Sequence, residues 1–150
     1  KKAKKHRKEV LISNVHPFWQ KAIVTDTYKL IWTGHPEREH IWGNFNSKGK
    51  FFAQPWAEWM EKAKTNKNTA RKVQRVVQPK AFELYDIVND PYEIKDLSNL
   101  PENNNKIATL QAKLTRLMTE CGESTTPPNM AESEKKKDQS KRNKKRVPSR

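Results

Sequence analysis

Residues 82–97 read FELYDIVNDPYEIKDL, and the reading of this stretch decides the fold. Phe82 and Leu84, with the residues between them, alternate as a strand does, so the run enters a sheet. Asp90-Pro91 ends it, because proline has no N–H to give to a ladder. Asp90 stands three residues before Glu93, so DPYE has the form of a capping box. In that arrangement the Asp90 carboxylate takes backbone N–H groups of the next turn, Pro91 fills its first position and Glu93 reaches back. Ile94 and Leu97 then return apolar side chains to the core. A strand-to-turn clamp built on Asp90, Pro91 and Glu93 is therefore expected, its carboxylates holding backbone rather than moving protons.

Upstream, KAIVTDTYKLIWT (residues 21–33) is two β-branched and aromatic runs parted by Thr25, Asp26 and Thr27, a hairpin signal. Tyr28, Leu30 and Trp32 share one face while Lys29, Ile31 and Thr33 share the other. EVLIS (9–13) reads as a further strand, and residues 34–54 as a loop. Pro55 is expected at a first helical position. After it, Trp56, Trp59, Met60 and Ala63 fall on one helical face, and in ARKVQRVV so do Ala70, Val73 and Val77. Both stripes read as core.

Downstream, PENNNKIATLQAKLTRLMTECG (101–122) is the clearest helix. Ile107, Leu110, Leu114, Leu117 and Cys121 recur at spacings of three and four, and Gly122 is its stop. Cys121 is expected to be a small buried hydrophobe. The sum is an α+β fold: a small antiparallel β-sheet of about four strands packed against a C-terminal amphipathic helix.

Charge sets the boundaries. Only 33% of the 150 residues are hydrophobic, mean hydropathy is -1.08 and the formal net charge is +14. Six of the first eight residues are Lys or Arg, and residues 131–150 hold nine basic against three acidic side chains. Residues 9–130 are nearly balanced, sixteen against fourteen, and hold every Trp, Phe and Tyr. The expected division is a basic segment at 1–8, a folded domain at 9–122, and a disordered basic tail at 123–150 with too little apolar surface to offset its ordering. No apolar run approaches the ~20 residues that span a bilayer, so no membrane partner is expected. The first residues lack the apolar core of a signal peptide, as in a cytosolic chain or one whose N-terminus lies elsewhere. The single cysteine excludes an internal disulfide and a multi-cysteine metal site.

Catalytic motifs are thin. There is no glycine-rich phosphate loop, nucleophile elbow or H-E-x-x-H pattern. His35 and His40, with Glu37 and Glu39 between them, read as a solvated charged loop, and no metal ligand is assigned. Asp86, Asp90, Glu93 and Asp96 are acidic neighbours, but capping accounts for Asp90 and Glu93. Trp19, Lys21, Tyr28 and Lys29 interleave bases with aromatics as single-stranded nucleic acid would require. Strand alternation explains the same pattern, so nucleic acid is not the expected partner.

In their order, KHRKEVLIS, KAIVTDTYKLIWTGHPE, PWAEWMEKAKTNKNTARKVQR and FELYDIVNDPYEIKDLSN, followed by the amphipathic helix, resemble the C-terminal subdomain of sulfatases, especially bacterial enzymes similar to heparan N-sulfatase (sulfamidase). The resemblance covers roughly residues 5–122. Its most specific pieces are R-x-D-x-Y-K-L-I, met as Ala22 to Ile31 with Lys21 and Val24 replacing more usual residues, and E-L-Y-D-x-x-x-D-P-x-E at Glu83 to Glu93. It implies a two-part enzyme. An N-terminal α/β domain carries calcium and a formylglycine made from Cys or Ser in C/S-x-P/A-x-R, whose hydrate attacks sulfur. The smaller C-terminal part buttresses that domain and helps to shape the substrate pocket, the substrate being a sulfate ester or N-sulfate of a glycan. Such enzymes are exported.

No catalytic residue of the family transfers to this chain. RVPSR carries Arg146 where the cysteine would stand, and Cys121 is followed by GEST. His16, in a segment shorter than the substrate-side loop of relatives, is the one substrate-binding candidate. The expected function is thus a structural and pocket-shaping sulfatase subdomain, inactive alone, whose partner is the N-terminal catalytic domain. The rival is a small basic module that binds polyanions, sulfated glycan or nucleic acid, through its Lys/Arg-rich ends. In a third reading the chain lacks its partner domain and Trp19, Trp42 and Trp56 are the orphaned interface.

Overall fold

The computed structural model describes residues 8–14, 19–39 and 53–129, with the side chains of Ala53 and Gln54 left aside. Strands β1 (Val10–Asn14), β2 (Gln20–Val24), β3 (Tyr28–Thr33) and β4 (Phe82–Asp86) form one antiparallel sheet in sequential order. Helices α1 (Ala53–Ala63) and α2 (Lys67–Val77) lie between β3 and β4 in the chain, and α3 (Asn104–Glu120) follows a single 3-10 turn at Pro101–Asn103. The α+β architecture, sheet plus C-terminal helix, is the one expected from the sequence.

The register aligns Leu11, Ile23, Leu30 and Leu84 across all four strands on one face. Onto this row α3 lays Leu110, Leu114 and Met118, one residue per turn. Ile23, Leu30, Leu84, Leu114 and Met118 are wholly buried. Trp19, Trp32 and Phe82 extend the core at one end, Trp19 edge-on to Trp32 at 4.9 Å and Trp32 stacked on Phe82 at 5.9 Å. Tyr28, Leu30 and Trp32 do share the core side of β3.

Local chemistry sets the ends of each element. In the β2–β3 turn Thr25 Oγ1 accepts the N–H groups of Thr27 and Tyr28. Asn66 caps α2, its Oδ1 accepting the N–H groups of Asn68 and Thr69, each at 3.0 Å. Gly122, at φ 70°, closes α3: its N–H donates to the Thr119 carbonyl and that of Glu123 to the Met118 carbonyl. This double bond is the Schellman stop expected of that glycine.

Several expectations fail, each for a local reason. Cys121 is exposed, because it is the C-cap of α3, on an open groove beside β1, and Met118 takes the inward position. α1 begins at Ala53, so Pro55 is its third residue, and Trp59 and Met60 are 46% and 44% exposed; α1 packs on α2 instead of on the sheet. Val73 of α2 is buried with Ala70 and Val77 half-buried, as that stripe requires. Trp19 is buried, not an interface residue, Trp56 is half-buried, and Trp42 lies outside the described residues. Folded contacts also run past the expected boundary at Gly122. Glu123 joins a buried ion pair, and Pro127 sits against Gly34 beside Trp19.

Gly34 is a close-approach position. Its N–H donates to the Trp19 carbonyl at 3.1 Å, and a Cβ there would lie 2.5 Å from the Trp19 ring and 2.8 Å from Pro127. Gly34→Ala should cost about 1–3 kcal/mol of stability in chemical denaturation, the range for overpacking a filled site.

Candidate functional site

The acidic motif after β4 is where chemistry would be sought, and its side chains diverge. Asp86 ends the strand: its Oδ1 accepts the N–H groups of Val88 and Asn89, and its Oδ2 accepts from the Asn89 amide. The bond from the Asn89 side chain, then its backbone N–H, holds the Asp86 carboxyl below its ordinary range. Asp90 accepts the N–H of Lys95 at 2.7 Å, five residues on. The Glu93 N–H donates to the Asp90 carbonyl at 3.0 Å and closes the turn, but the Glu93 side chain does not reach back, so the expected capping box does not form, and no helix follows Pro91. Instead Glu93, at φ 53°, turns its carboxylate to Lys29 of β3, with both oxygens within 2.9 Å of Nζ. Ile94 is 75% exposed, whereas Leu97 packs on the core as expected.

Asp96 is the residue that the sequence reading undervalued. Its Oδ1 accepts from the N–H groups of Leu84 and Ser98, and its Oδ2 from Lys80 and the Ser98 hydroxyl. With the Leu97 N–H donating to the Leu84 carbonyl, this closes the outer edge of β4. Burial alone would raise the Asp96 carboxyl; the bonds from Lys80, Ser98 and Leu84 outweigh it and hold it below its usual value.

On the opposite face of β4, Glu83 and Tyr85 are buried. The Tyr85 hydroxyl donates to Glu83 Oε2, which also accepts from Arg75 Nε at 3.0 Å, while the Arg75 guanidinium lies 4.7 Å from the Tyr85 ring. Burial, then the neighbouring carboxylate, pushes the Tyr85 phenol far up, so it stays protonated and donates. Arg75 Nη1 also donates to the Glu93 carbonyl at 2.7 Å, tying α2 to the motif.

A third polar centre lies on the core side. Lys21 is 3% exposed, and its ammonium donates to both Ser13 Oγ and Glu123 Oε2, which Ser13 bonds in turn at 2.8 Å. The ammonium also sits 5.6 Å from the Trp19 ring. The signal for it was in the sequence: Lys21 is in phase with Ile23, so alternation sends both inward. Glu123 was invisible because its partners are about a hundred residues away.

Of the other candidates, His16 and His40 lie outside the described residues. His35 Nε2 donates to the Pro128 carbonyl at 3.0 Å and Nδ1 lies 3.3 Å from Glu37. Trp19, Lys21 and Lys29, read as a nucleic-acid pattern, are engaged in the contacts above. Among the described residues no group of three or more His, Cys, Asp or Glu side chains converges as metal ligands. What the arrangement does chemically is hold backbone and neutralise cations.

No protein-family model matches the chain. An ulvan-active sulfatase from Formosa agariphila is 42% identical over 60 residues, which span 40% of this chain and 9% of that protein. Over that stretch the chain is related to a sulfatase.

Lys21 binds Glu123, and this bond, with help from Ser13, holds the Glu123 carboxyl below its ordinary 4.5. A depressed carboxyl stabilises the fold above its unfolded value and loses that contribution as pH falls through the folded value. Stability should therefore drop below pH 4.5. In Glu123→Gln this part of the drop should vanish, while stability at neutral pH falls by about 1–3 kcal/mol because the buried ammonium loses its charged acceptor; denaturant titrations across pH measure both.

Proposed function

We propose that the chain is the C-terminal subdomain of a sulfatase, a supporting lobe that buttresses a catalytic domain and helps to shape its substrate pocket. The observation that carries the reading is the disposition of the carboxylates. Asp86, Asp90, Glu93 and Asp96 bind backbone N–H groups, an amide, a hydroxyl and two lysines, which leaves proton transfer and metal binding to a partner. The 60-residue relationship to a sulfatase supports it.

The partner is an N-terminal sulfatase domain bearing formylglycine and calcium. An apolar surface for it exists on the sheet face turned away from α3, where Val10 and Ile12 are 45% and 48% exposed beside half-buried Val24 and Ile31. The parent reaction is hydrolysis of a sulfate ester or N-sulfate on a glycan, with specificity like that of heparan N-sulfatase-like enzymes. Cys121 does not supply the nucleophile: Glu123 and Thr125 stand where the modification motif needs Pro and Arg.

The chain alone, supplied with calcium and a synthetic aryl sulfate, should give no turnover, and mixing it with the sulfatase domain encoded next to it should give hydrolysis. Turnover by the isolated chain overturns the reading, as does the lack of any adjacent coding sequence with the C/S-x-P/A-x-R motif.

A further inference from the structure

Charge is not spread evenly over the folded part. Residues 53–80, the α1–α2 hairpin and its exit, carry seven Lys or Arg against two Asp or Glu, whereas residues 81–129 carry four against eight. Within the hairpin Lys64 pairs with Glu61, Arg75 with Glu83 and Lys80 with Asp96. Lys62, Lys67, Arg71 and Lys72 are exposed and meet no carboxylate among the described residues. The Lys67–Arg71–Arg75 ridge repeats every fourth residue on the face of α2 opposite Val73, so its members stand about 6 Å apart along the axis.

This placement opposes local stability. α2 has no acidic residue in its first turn and instead carries Lys67 there, where the helix dipole disfavours a cation, with Arg71 and Lys72 one turn further on. Although Asn66 caps the helix, four exposed cations left without a carboxylate point to a ligand that supplies the missing negative charge. Beside the ridge a groove of about 580 Å³ runs between α2 and the Asp96 segment, lined by Arg71, by the mutually bonded amides of Gln74 and Gln78, and by the carboxylates of Glu83 and Asp96, which Arg75 and Lys80 neutralise. Cations at regular steps beside amides suit a chain with repeating anionic groups and many hydroxyls.

We propose that the α1–α2 hairpin is a docking surface for a sulfated polysaccharide, with Lys62, Lys67, Arg71 and Lys72 meeting its sulfates and the groove amides its sugar hydroxyls. The choice of sulfated polysaccharide over nucleic acid rests on the sulfatase reading. The site lies in the folded domain and is separate from the Lys/Arg-rich ends of the chain.

The full chain is titrated with dextran sulfate, neutral dextran and duplex DNA at several salt concentrations. Dextran sulfate should bind, more weakly as salt rises. The variant Lys62→Gln/Lys67→Gln/Arg71→Gln/Lys72→Gln should melt as the parent does and bind about tenfold or more weakly. Lys135→Gln/Lys136→Gln/Lys137→Gln in the tail should bind nearly as the parent. Equal affinity of parent and hairpin variant overturns the proposal, as does loss of binding in the tail variant alone; DNA binding equal to or tighter than dextran sulfate overturns the ligand class. Because these titrations need no turnover, a failed hydrolysis experiment with intact hairpin-dependent binding sinks the sulfatase reading and leaves the surface standing.

Discussion

The structure depends on one apolar seam, the Leu11–Ile23–Leu30–Leu84 row under the Leu110–Leu114–Met118 ridge of α3. A row running straight across four strands forces their register, since a slip of one residue would turn each member to the other face. A helix stripe with spacing four must then lie along the sheet to cover it. Small domains bury a modest share of their surface, so little apolar material is left over for other tasks. The remaining elements are therefore held by polar clasps.

Those clasps share a design. Each joins segments that the seam alone would leave loose: Glu9 ties β1 to Lys113 and Arg116 of α3, Lys21 ties β2 to the chain after α3, Glu93 ties the motif loop to β3, and Asp96 covers the edge of β4. A buried charge costs more to desolvate than one exposed pair returns, so Lys21 is tolerable because Ser13, Glu123 and the Trp19 ring surround it. The clasps contribute placement more than stability.

Period-two alternation made the four strands and their faces legible, and Gly122 and the i, i+4 spacing made α3 legible, because these signals lie within ten residues or so. The failures came where a choice depended on distant partners. DPYE has the letters of a capping box, but Lys29, sixty-four residues away, offers Glu93 a cation, and the box is not made. Trp59 and Met60 have helical spacing, yet the face they form meets no sheet, a matter of how α1 is placed on α2. Cys121 fits the stripe by spacing, but the buried row runs Leu110–Leu114–Met118 and Cys121 falls at the C-cap, beside that row. Asp96 and Glu123 were missed for the same cause: their roles are defined by Leu84, Lys80 and Lys21, which pattern analysis of one segment cannot bring alongside.

This division between local and distant signals bears on function. An active site requires groups whose charge is left uncommitted, ready to take or release a proton or to meet a metal. In the β4 motif every carboxylate is already matched, Glu83 by Arg75 and Tyr85, Asp86 by Asn89, Asp96 by Lys80 and two backbone amides. The exposed cations Lys62, Lys67, Arg71 and Lys72 of α1–α2 meet no carboxylate among the described residues, and Arg71 borders the groove that Glu83 and Asp96 also line. On the docking proposal such a cluster would orient an anionic chain at longer range than a hydrogen bond reaches. Among the described residues of the β4 motif no carboxylate is left over to take a proton or a metal. The same strand-to-loop geometry that closes the edge of the sheet thus commits the carboxylates of the motif to backbone and lysine partners.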